Sequence, residues 1–285
     1  MFDVIIIRYG EIGLKSESVR RRFEDKLIRN IILAFRKESI IDVRIKKERG
    51  RIFLRSKNME KAKNVLKRIF GIVSISPAVE TIADIEDIKE KALELIEKRI
   101  NGIKTFAVRS TRVGKHDFTS QDIAIEVGRE IKEKFNLRVD LDDPDLELYI
   151  EVRDDKAYLF FEKIRGPAGL PLGSQGKVLS LVRNKRDILA LWCMLRRGCS
   201  AKVISYGMDK ELKDFLRKWY AESETEIAEE KDIKRNMNGC LALVVGESMR
   251  DIDFDRDKNF NLPILRPLVS FSDEEIDRMI GEIGI

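Results

Sequence analysis

Residues 177–190 read Lys177-Val178-Leu179-Ser180-Leu181-Val182-Arg183-Asn184-Lys185-Arg186-Asp187-Ile188-Leu189-Ala190. The apolar, β-rich run Lys177–Val182 predicts a buried strand, and the apolar pattern from Asp187 to Arg197 predicts a helix packed back upon it. The approach, Gly166-Pro167-Ala168-Gly169-Leu170-Pro171-Leu172-Gly173, is the clearest linker in the chain, because Gly and Pro together interrupt helix and sheet. Strand, turn and helix in this order form the frame of a nucleotide-binding unit. A phosphate cradle needs backbone N–H groups close to the anion, which favours small residues, and an open helix N-terminus. The turn Arg183–Asp187 contains no glycine. The expectation is a retained frame with an overwritten working loop.

Downstream the alternation continues: strand Ala201–Ser205, helix Asp209–Tyr220, strands Cys240–Val245 and Ile264–Leu268, and helix Asp273–Ile283. Such alternation predicts a doubly wound parallel sheet with ligands at the carboxyl ends of its strands. Upstream, Phe2–Tyr9 reads as a strand. Val19, Phe23, Leu27, Ile31 and Phe35 then stand four apart on a helix from Ser18 to Lys37. Ile40–Lys47 and Arg51–Ser56 pair about an Arg49-Gly50 turn, Asn58 caps a helix over Met59–Phe70, and Ile72–Ser76 is a strand, which completes a βαββαβ, ferredoxin-like plan. Past Pro77 the pattern restarts with an Asp84-capped helix over Ile85–Ile100, a strand Thr105–Ser110 and a helix Thr119–Phe135. Two strands, Leu146–Arg153 and Lys156–Ile164, then flank the turn Asp154-Asp155. The expected divisions are 1–76, 77–166, a linker 167–175, and 176–285.

A chain of 285 residues with 43% hydrophobic residues supports two or three cores. No run reaches a membrane span, and Met1-Phe2-Asp3-Val4 leads straight into a strand, so a cytoplasmic protein without membrane contact is expected. Charged residues make up 37% and only Gln121 and Gln175 represent glutamine, a usage resembling that of hyperthermophiles. The net charge of +5 conceals a lopsided distribution: residues 1–75 hold 20 Lys+Arg against 9 Asp+Glu, while residues 76–175 hold 16 against 21. A surplus confined to the first quarter is an electrostatic footprint for a polyanion, nucleic acid above all. Cys193, Cys199 and Cys240 lack metal-ligand spacing and sit in apolar runs, and His116 is the single histidine, so no metal site is expected.

Arg8, Lys15, Arg20, Arg21 and Arg22 suit a phosphate track, where each neutralised phosphate adds salt sensitivity; the bland alternative is a solvated helix face. Arg109, Arg112, Lys115 and His116 leave a strand before a helix capped by Thr119 or Ser120, a place from which N–H donors meet an RNA end, and Lys163 and Arg165 extend that surface. For His116 alone an ordinary surface histidine is the simpler reading. Phe160 and Phe161 alternate sides, so at least one belongs to the core. Arg183, Lys185 and Arg186 offer positive potential for a phosphate contact, against the alternative of drift in a disused site.

Three blocks carry a family resemblance. The first is Arg8-Tyr9-Gly10-Glu11-Ile12-Gly13-Leu14-Lys15 with Arg20-Arg21-Arg22-Phe23. The second runs from Phe106-Ala107-Val108-Arg109 through Arg112, Phe118-Thr119-Ser120 and Val127-Gly128 to Gly169-Leu170-Pro171-Leu172-Gly173. The third is Gly246-Glu247-Ser248 with Leu265-Arg266-Pro267-Leu268 and Asp273-Glu274-Glu275-Ile276. Together they resemble the tRNA 4-thiouridine synthetase (ThiI) family. The resemblance implies an N-terminal ferredoxin-like domain and a THUMP domain that bind tRNA, largely at its 3′ end, and a C-terminal Rossmann-like PP-loop domain that adenylates a uridine before sulfur transfer. The family's loop has the form Ser-Gly-Gly-x-Asp-Ser; aligned with it stand Arg183, Asn184, Lys185, Arg186, Asp187 and Ile188, so only Asp187 is kept. Ser248 is followed by Met249-Arg250-Asp251-Ile252-Asp253 instead of a Ser/Gln-rich stretch, and the sequence stops at Ile285, near where a cysteine-bearing segment begins in the family.

The expectation from sequence is therefore a tRNA-binding protein of tRNA modification, with a degenerate PP-loop domain, no cofactor, and Asp187, Gly246, Glu247 and Ser248 as vestiges of a catalytic site. Expected partners are tRNA, a tRNA-modifying enzyme or paralogue, and a second copy of the chain. The competing readings are an active sulfurtransferase using ATP, Mg and a partner sulfur donor, and an interaction protein that meets an acidic protein surface.

Overall fold

The computed structural model describes residues 2–48, 50–252 and 254–285. Met1, Asp253 and Arg49 of the expected Arg49-Gly50 turn lie outside the described residues. In chain order the elements are β1 (Val4–Arg8), α1 (Glu17–Lys37), β2 (Val43–Glu48), β3 (Arg51–Ser56), α2 (Met59–Leu66), β4 (Ser74–Ile82), α3 (Ile85–Glu97), β5 (Thr105–Val113), α4 (Ser120–Phe135), β6 (Arg138–Val139), β7 (Leu146–Arg153), β8 (Lys156–Phe160) and β9 (Ile164–Arg165). They continue with β10 (Lys177–Val182), α5 (Lys185–Arg196), β11 (Ser200–Ser205), α6 (Asp209–Lys218), β12 (Thr225–Ile227), α7 (Ile233–Asn236), β13 (Leu243–Val244), α8 (Phe254–Asp257), β14 (Ile264–Leu265) and α9 (Asp273–Ile283). The fold is mixed α/β, with the ferredoxin-like, THUMP and C-terminal doubly wound parts in the expected order. By compactness it forms two units: Met1–Ile7, Asp42–Lys63 and Ile75–Ile164 in the first, and Arg8–Ile41, Asn64–Ser74 and Arg165–Ile285 in the second.

The first unit is built on a sheet of order β2-β3-β1-β4-β8-β7-β5-β6. The ferredoxin-like and THUMP strands thus share one sheet, joined where β4 and β8 run antiparallel with Val79 opposite Leu159. The sequence reading ends a strand at Ser76 before Pro77, whereas β4 runs through the proline to Ile82. Proline cannot donate to a ladder. Pro77 lies two residues beyond the Val79–Leu159 pair, where β8 has already ended at Phe160, and Ser76 there turns its hydroxyl to the Glu162 carbonyl at 2.7 Å. Ile88, Ala92 and Leu95 of α3 and Ile123, Val127 and Ile131 of α4 repeat at helical spacing and enter one core with Phe106 and Leu148 of the sheet. Both helices start as their sequences dictate. Asp84 accepts the N–H groups of Glu86 and Asp87, and Thr119 forms a capping box with Asp122. The two-residue strand β6, beside β5, has no apolar run to announce it.

The second unit contains a parallel sheet of order β12-β11-β10-β13-β14. Alternate residues of β10 serve opposite faces: Val178 and Val182 pack with Ile188, Leu189, Leu191 and Trp192 of α5, while Leu179 and Leu181 pack with Ile204, Cys240 and Leu243. Phe70 enters the first of these cores, stacked on Trp219 with ring centroids 5.4 Å apart. Helix α1 is tied to the same unit by Lys26 on Glu224 at 2.6 Å and by the Asn30 amide on the Leu172 carbonyl at 3.0 Å. Strands β13 and β14 are shorter than the apolar runs Cys240–Val245 and Ile264–Leu268 suggest, and β12 was not foreseen. β12 and β14 are the two edge strands and β13 lies between β10 and β14, each held by only two or three paired residues on a side.

Candidate functional site

In the C-terminal sheet the chain leaves β10 to build β11 and β12 on one side, then returns to build β13 and β14 on the other. Connections from β10 and β13 therefore depart in opposite directions, and a crevice opens outside their carboxyl ends, the place where open α/β sheets take ligands. A cavity of about 850 Å³ lies there, lined by the turn 183–187, by Gly246 and Glu247 after β13, by Asp251 and by Asp277 of α9.

Asp187, the residue kept from the family's loop, is almost fully buried. One of its carboxylate oxygens accepts the Gly246 N–H at 2.7 Å, and the other accepts the Arg183 backbone N–H at 2.9 Å. The Arg183 guanidinium adds two further hydrogen bonds to the same carboxylate, both at 3.2 Å. Asn184 caps α5, its side-chain oxygen accepting the Asp187 N–H at 3.1 Å. Gly246 is required by crowding: a Cβ there would stand 2.5 Å from the Arg186 carbonyl carbon and 2.6 Å from the Asp187 nitrogen. The turn without glycine is thus held by side chains in place of a bare backbone loop. Arg186 pairs with Asp273 of α9 at 2.8 Å, and the Lys185 ammonium donates to the Ile285 carbonyl at 3.2 Å.

Of the residues expected as vestiges, Asp187 and Gly246 meet directly, Glu247 is buried on the cavity wall, and Ser248 starts a turn. The Ser248 hydroxyl and N–H both bond Asp251. Those two bonds, hydroxyl first, together with the nearby Arg186 and Arg183 guanidinium groups, hold the Asp251 carboxyl below its ordinary range. The sequence reading assigned no site role to Asp251, Asp277 or Arg266. The Ser248-x-x-Asp251 spacing of a capping box was the legible signal for the first.

In the first unit, Arg109 and Lys163 converge on one pair of side chains. Arg109 donates to Glu147 at 3.0 Å, the Tyr149 hydroxyl donates to the same carboxylate, and the Lys163 ammonium lies 3.9 Å from the Tyr149 ring centroid. The Tyr149 hydrogen bond and then Arg109 lower the Glu147 pKa. Parallel pairing of β5 with β7, which sets Arg109 beside Tyr149, creates this cluster. Phe160 stacks on Tyr149 at 5.3 Å and is buried, so it is core; Phe161 packs on the Arg99 guanidinium. Arg112 contacts His116 Nδ1 at 3.4 Å, while His116 Nε2 donates to the Asp154 carbonyl and the ring lies 5.2 Å from Phe118. Lys115 is exposed between them.

Arg8, Lys15, Arg20, Arg21, Arg22 and Arg165 belong to the second unit. Lys15, Arg21, Arg22 and Arg165 are exposed. Arg21 pairs with Glu17, Arg20 approaches Glu24 at 3.8 Å, and Arg22 lies over the Phe23 ring at 5.4 Å. All three cysteines are free, and burial pushes their thiols up, that of Cys193 to about 11.

Ferredoxin-like strands continuous with a THUMP sheet, followed by a parallel sheet with a charged crevice at its switch point, define a THUMP protein with an appended Rossmann-like domain. Residues 4–76 match the ThiI ferredoxin-like domain and residues 82–162 the THUMP domain. A probable tRNA sulfurtransferase of Methanobrevibacter smithii is 35% identical over 99% of this chain and 87% of its own length, and a tRNA sulfurtransferase of Pyrobaculum aerophilum is 34% identical over 99% and 67%. The chain belongs to the tRNA sulfurtransferase (ThiI) family. The first of these alignments runs over 336 positions although this chain has 285 residues, so that relative carries segments with no counterpart here.

Among solved structures, PH1313 from Pyrococcus horikoshii superposes with TM-score 0.86 at 31% identity, covering 99% of this chain and all of its own. A 4-thiouridine synthetase–RNA complex with bound ATP superposes with TM-score 0.81 at 24% identity, covering 100% of this chain and 85% of its own. That complex overturns the expectation that no cofactor is involved: the same fold holds ATP. The relatives favour the active sulfurtransferase over a protein without ATP chemistry. Among the described residues no helix is long and apolar enough to cross a membrane.

Proposed function

We propose that this protein binds tRNA and ATP and acts as a tRNA sulfurtransferase, activating a uridine by adenylation so that sulfur from a partner donor replaces its oxygen. The observation that carries the reading is the cavity at the β10–β13 switch point. At about 850 Å³ it is large enough for a nucleotide, since small-molecule sites span roughly 300–1,000 Å³. Arg183, Lys185 and Arg186 line it. Their long cationic side chains supply by charge what glycine N–H groups supply in the family's usual loop, and they are the residues to hold the polyphosphate. ATP brings the leaving group, and the chain's own residues bind and orient it. Asp187 keeps the turn closed, and Glu247 and Asp251 present carboxylates on the facing wall.

For RNA, Arg8, Lys15, Arg20, Arg21 and Arg22 form the phosphate track. Arg109, Arg112, Lys115, His116 and Lys163 of the first unit form the surface for the 3′ end, where sequence-tolerant recognition of a single strand suits cations beside aromatic rings, and Arg165 of the second unit is a further RNA contact. The working divisions are 1–76, 77–166 and 176–285, and the cytoplasm, where tRNA is modified, is the proposed location. The deciding experiment is calorimetric titration of the full chain with Mg-ATP, with and without tRNA, followed by a search for 4-thiouridine in tRNA incubated with ATP and sulfide. Binding with tRNA-dependent release of pyrophosphate is expected. An absence of ATP binding in both titrations overturns the enzymatic part, and affinity for tRNA no better than for duplex DNA of equal charge overturns the RNA part.

A further inference from the structure

Strands β13 and β14 are parallel neighbours, with Val244 opposite Leu265, so the residues that leave their carboxyl ends emerge side by side. Glu247 comes from one and Arg266 from the other. The Arg266 guanidinium donates through Nε to Glu247 at 3.0 Å and through a terminal nitrogen to Asp257 at 2.5 Å. Its side chain is only 13% exposed and that of Glu247 6%. Glu247 forms part of the cavity wall, and Asp257 closes α8 at the far end of the segment that begins with the Ser248–Asp251 turn, which also lines the cavity. One buried cation therefore fixes a cavity carboxylate and pins the end of the segment that follows it.

We infer that Arg266 is a positioning residue for the nucleotide cavity, acting through Glu247 and, by its hold on Asp257, through the 248–257 segment. The inference rests on the proposed reading of that cavity as the ATP site. A buried carboxylate that loses this charge-assisted contact is driven toward taking up a proton or turning to solvent. In both cases the wall facing Arg183 and Arg186 changes its charge or shape. Lysine at this position keeps the charge but cannot reach two carboxylates with a planar fork, so it restores only part of the arrangement.

The test uses the full chain and the variants Arg266→Met, Arg266→Lys and Glu247→Gln, the double variant Arg266→Met/Glu247→Gln, and Asp257→Asn. Each is read by amide hydrogen exchange over residues 247–257 and by calorimetry with Mg-ATP. Arg266→Met is expected to lose protection in that segment while β10 and β11 keep theirs, and to weaken Mg-ATP binding by roughly tenfold or more. Glu247→Gln is expected to weaken binding similarly, and the double variant no further than either single change, because both remove one linkage. Arg266→Lys should recover part of the protection and affinity, and Asp257→Asn should loosen the segment with a smaller effect on affinity. Unchanged protection in Arg266→Met, or losses of affinity that simply add in the double variant, overturn the inference. Should the wild-type chain bind no ATP, the reading of the cavity fails and the exchange data alone decide the positioning role.

Discussion

Asp187 and Gly246 join the two sides of the switch point: the carboxylate on the first turn of α5 accepts the N–H of the glycine after β13 at 2.7 Å. The contact is possible because residue 246 has no side chain. In Gly246→Ala the added methyl would meet main-chain atoms of Arg186 and Asp187, none of which can rotate away as a flexible side chain would. Overpacking of this kind costs about 1–3 kcal/mol. A lowered thermal midpoint together with loss of Mg-ATP affinity is expected, and calorimetry checks both.

Asp187→Ala removes the acceptor for two backbone N–H groups and for the Arg183 guanidinium. The carboxylate is almost fully buried while Arg183 is 41% exposed, so the ion pair itself is partly screened and the backbone donors dominate the loss. A destabilisation of about 2–3 kcal/mol is expected from denaturant unfolding. Asp187→Asn, which can still accept from Gly246, should lose less. Equal losses in the two variants would show that charge, not the acceptor geometry, holds the turn.

Much of the fold was legible because its periodicities are strong. The four-residue spacing from Val19 to Phe35, the apolar alternation on either side of β10, and the caps Asp84 and Thr119 each announce an element. The run of β4 through Pro77 was not legible, since whether a proline interrupts a strand depends on whether a neighbour stands beside its missing N–H, a tertiary fact. At the cavity, the chain positions of Asp187 and Gly246 were readable from the family pattern, but their mutual hydrogen bond was not. Nor was Arg266, whose two carboxylate partners lie 19 and 9 residues away in sequence and meet it only once parallel strands align. The overwritten loop misled for a physical reason: a cradle lacking glycine can still be lined by cations, and composition alone does not show which way Arg183 and Arg186 point.

The Arg109–Glu147–Tyr149 cluster predicts an acid-sensitive contribution to stability. Glu147 has a folded-state pKa lowered by the Tyr149 hydroxyl and by Arg109. A depressed carboxylate contributes stability that is fully present above its unfolded value, about 4.3, and is lost as pH falls through the lower folded value. Thermal midpoints should therefore fall below about pH 4.3 in wild type, and this cluster's part of that dependence should vanish in Glu147→Gln. Identical acid profiles for the two proteins would remove the cluster's role.

Cys193, Cys199 and Cys240 should behave as core residues. With the Cys193 thiol pushed up to about 11 by burial, and the other two raised by the same cause, little thiolate exists near neutral pH. Alkylation by iodoacetamide in the native protein should be slow for all three and rapid after denaturation. A native cysteine that reacts as fast as a free thiol would contradict this and mark a sulfur-handling residue.

The basic residues of the front of the chain can be sorted by salt dependence. If Arg21 and Arg22 each neutralise an RNA phosphate, Arg21→Ala and Arg22→Ala should each weaken tRNA binding uniformly across tRNA species and reduce the slope of log affinity against log salt by about 1. Arg21 already pairs with Glu17 on an exposed helix face, a contact worth little in water, so it can exchange that partner for a phosphate at small cost. Glu17→Gln should then strengthen tRNA binding modestly, because the competing carboxylate is gone. A salt slope unchanged in both arginine variants, measured by filter binding, would return these residues to an ordinary solvated helix face.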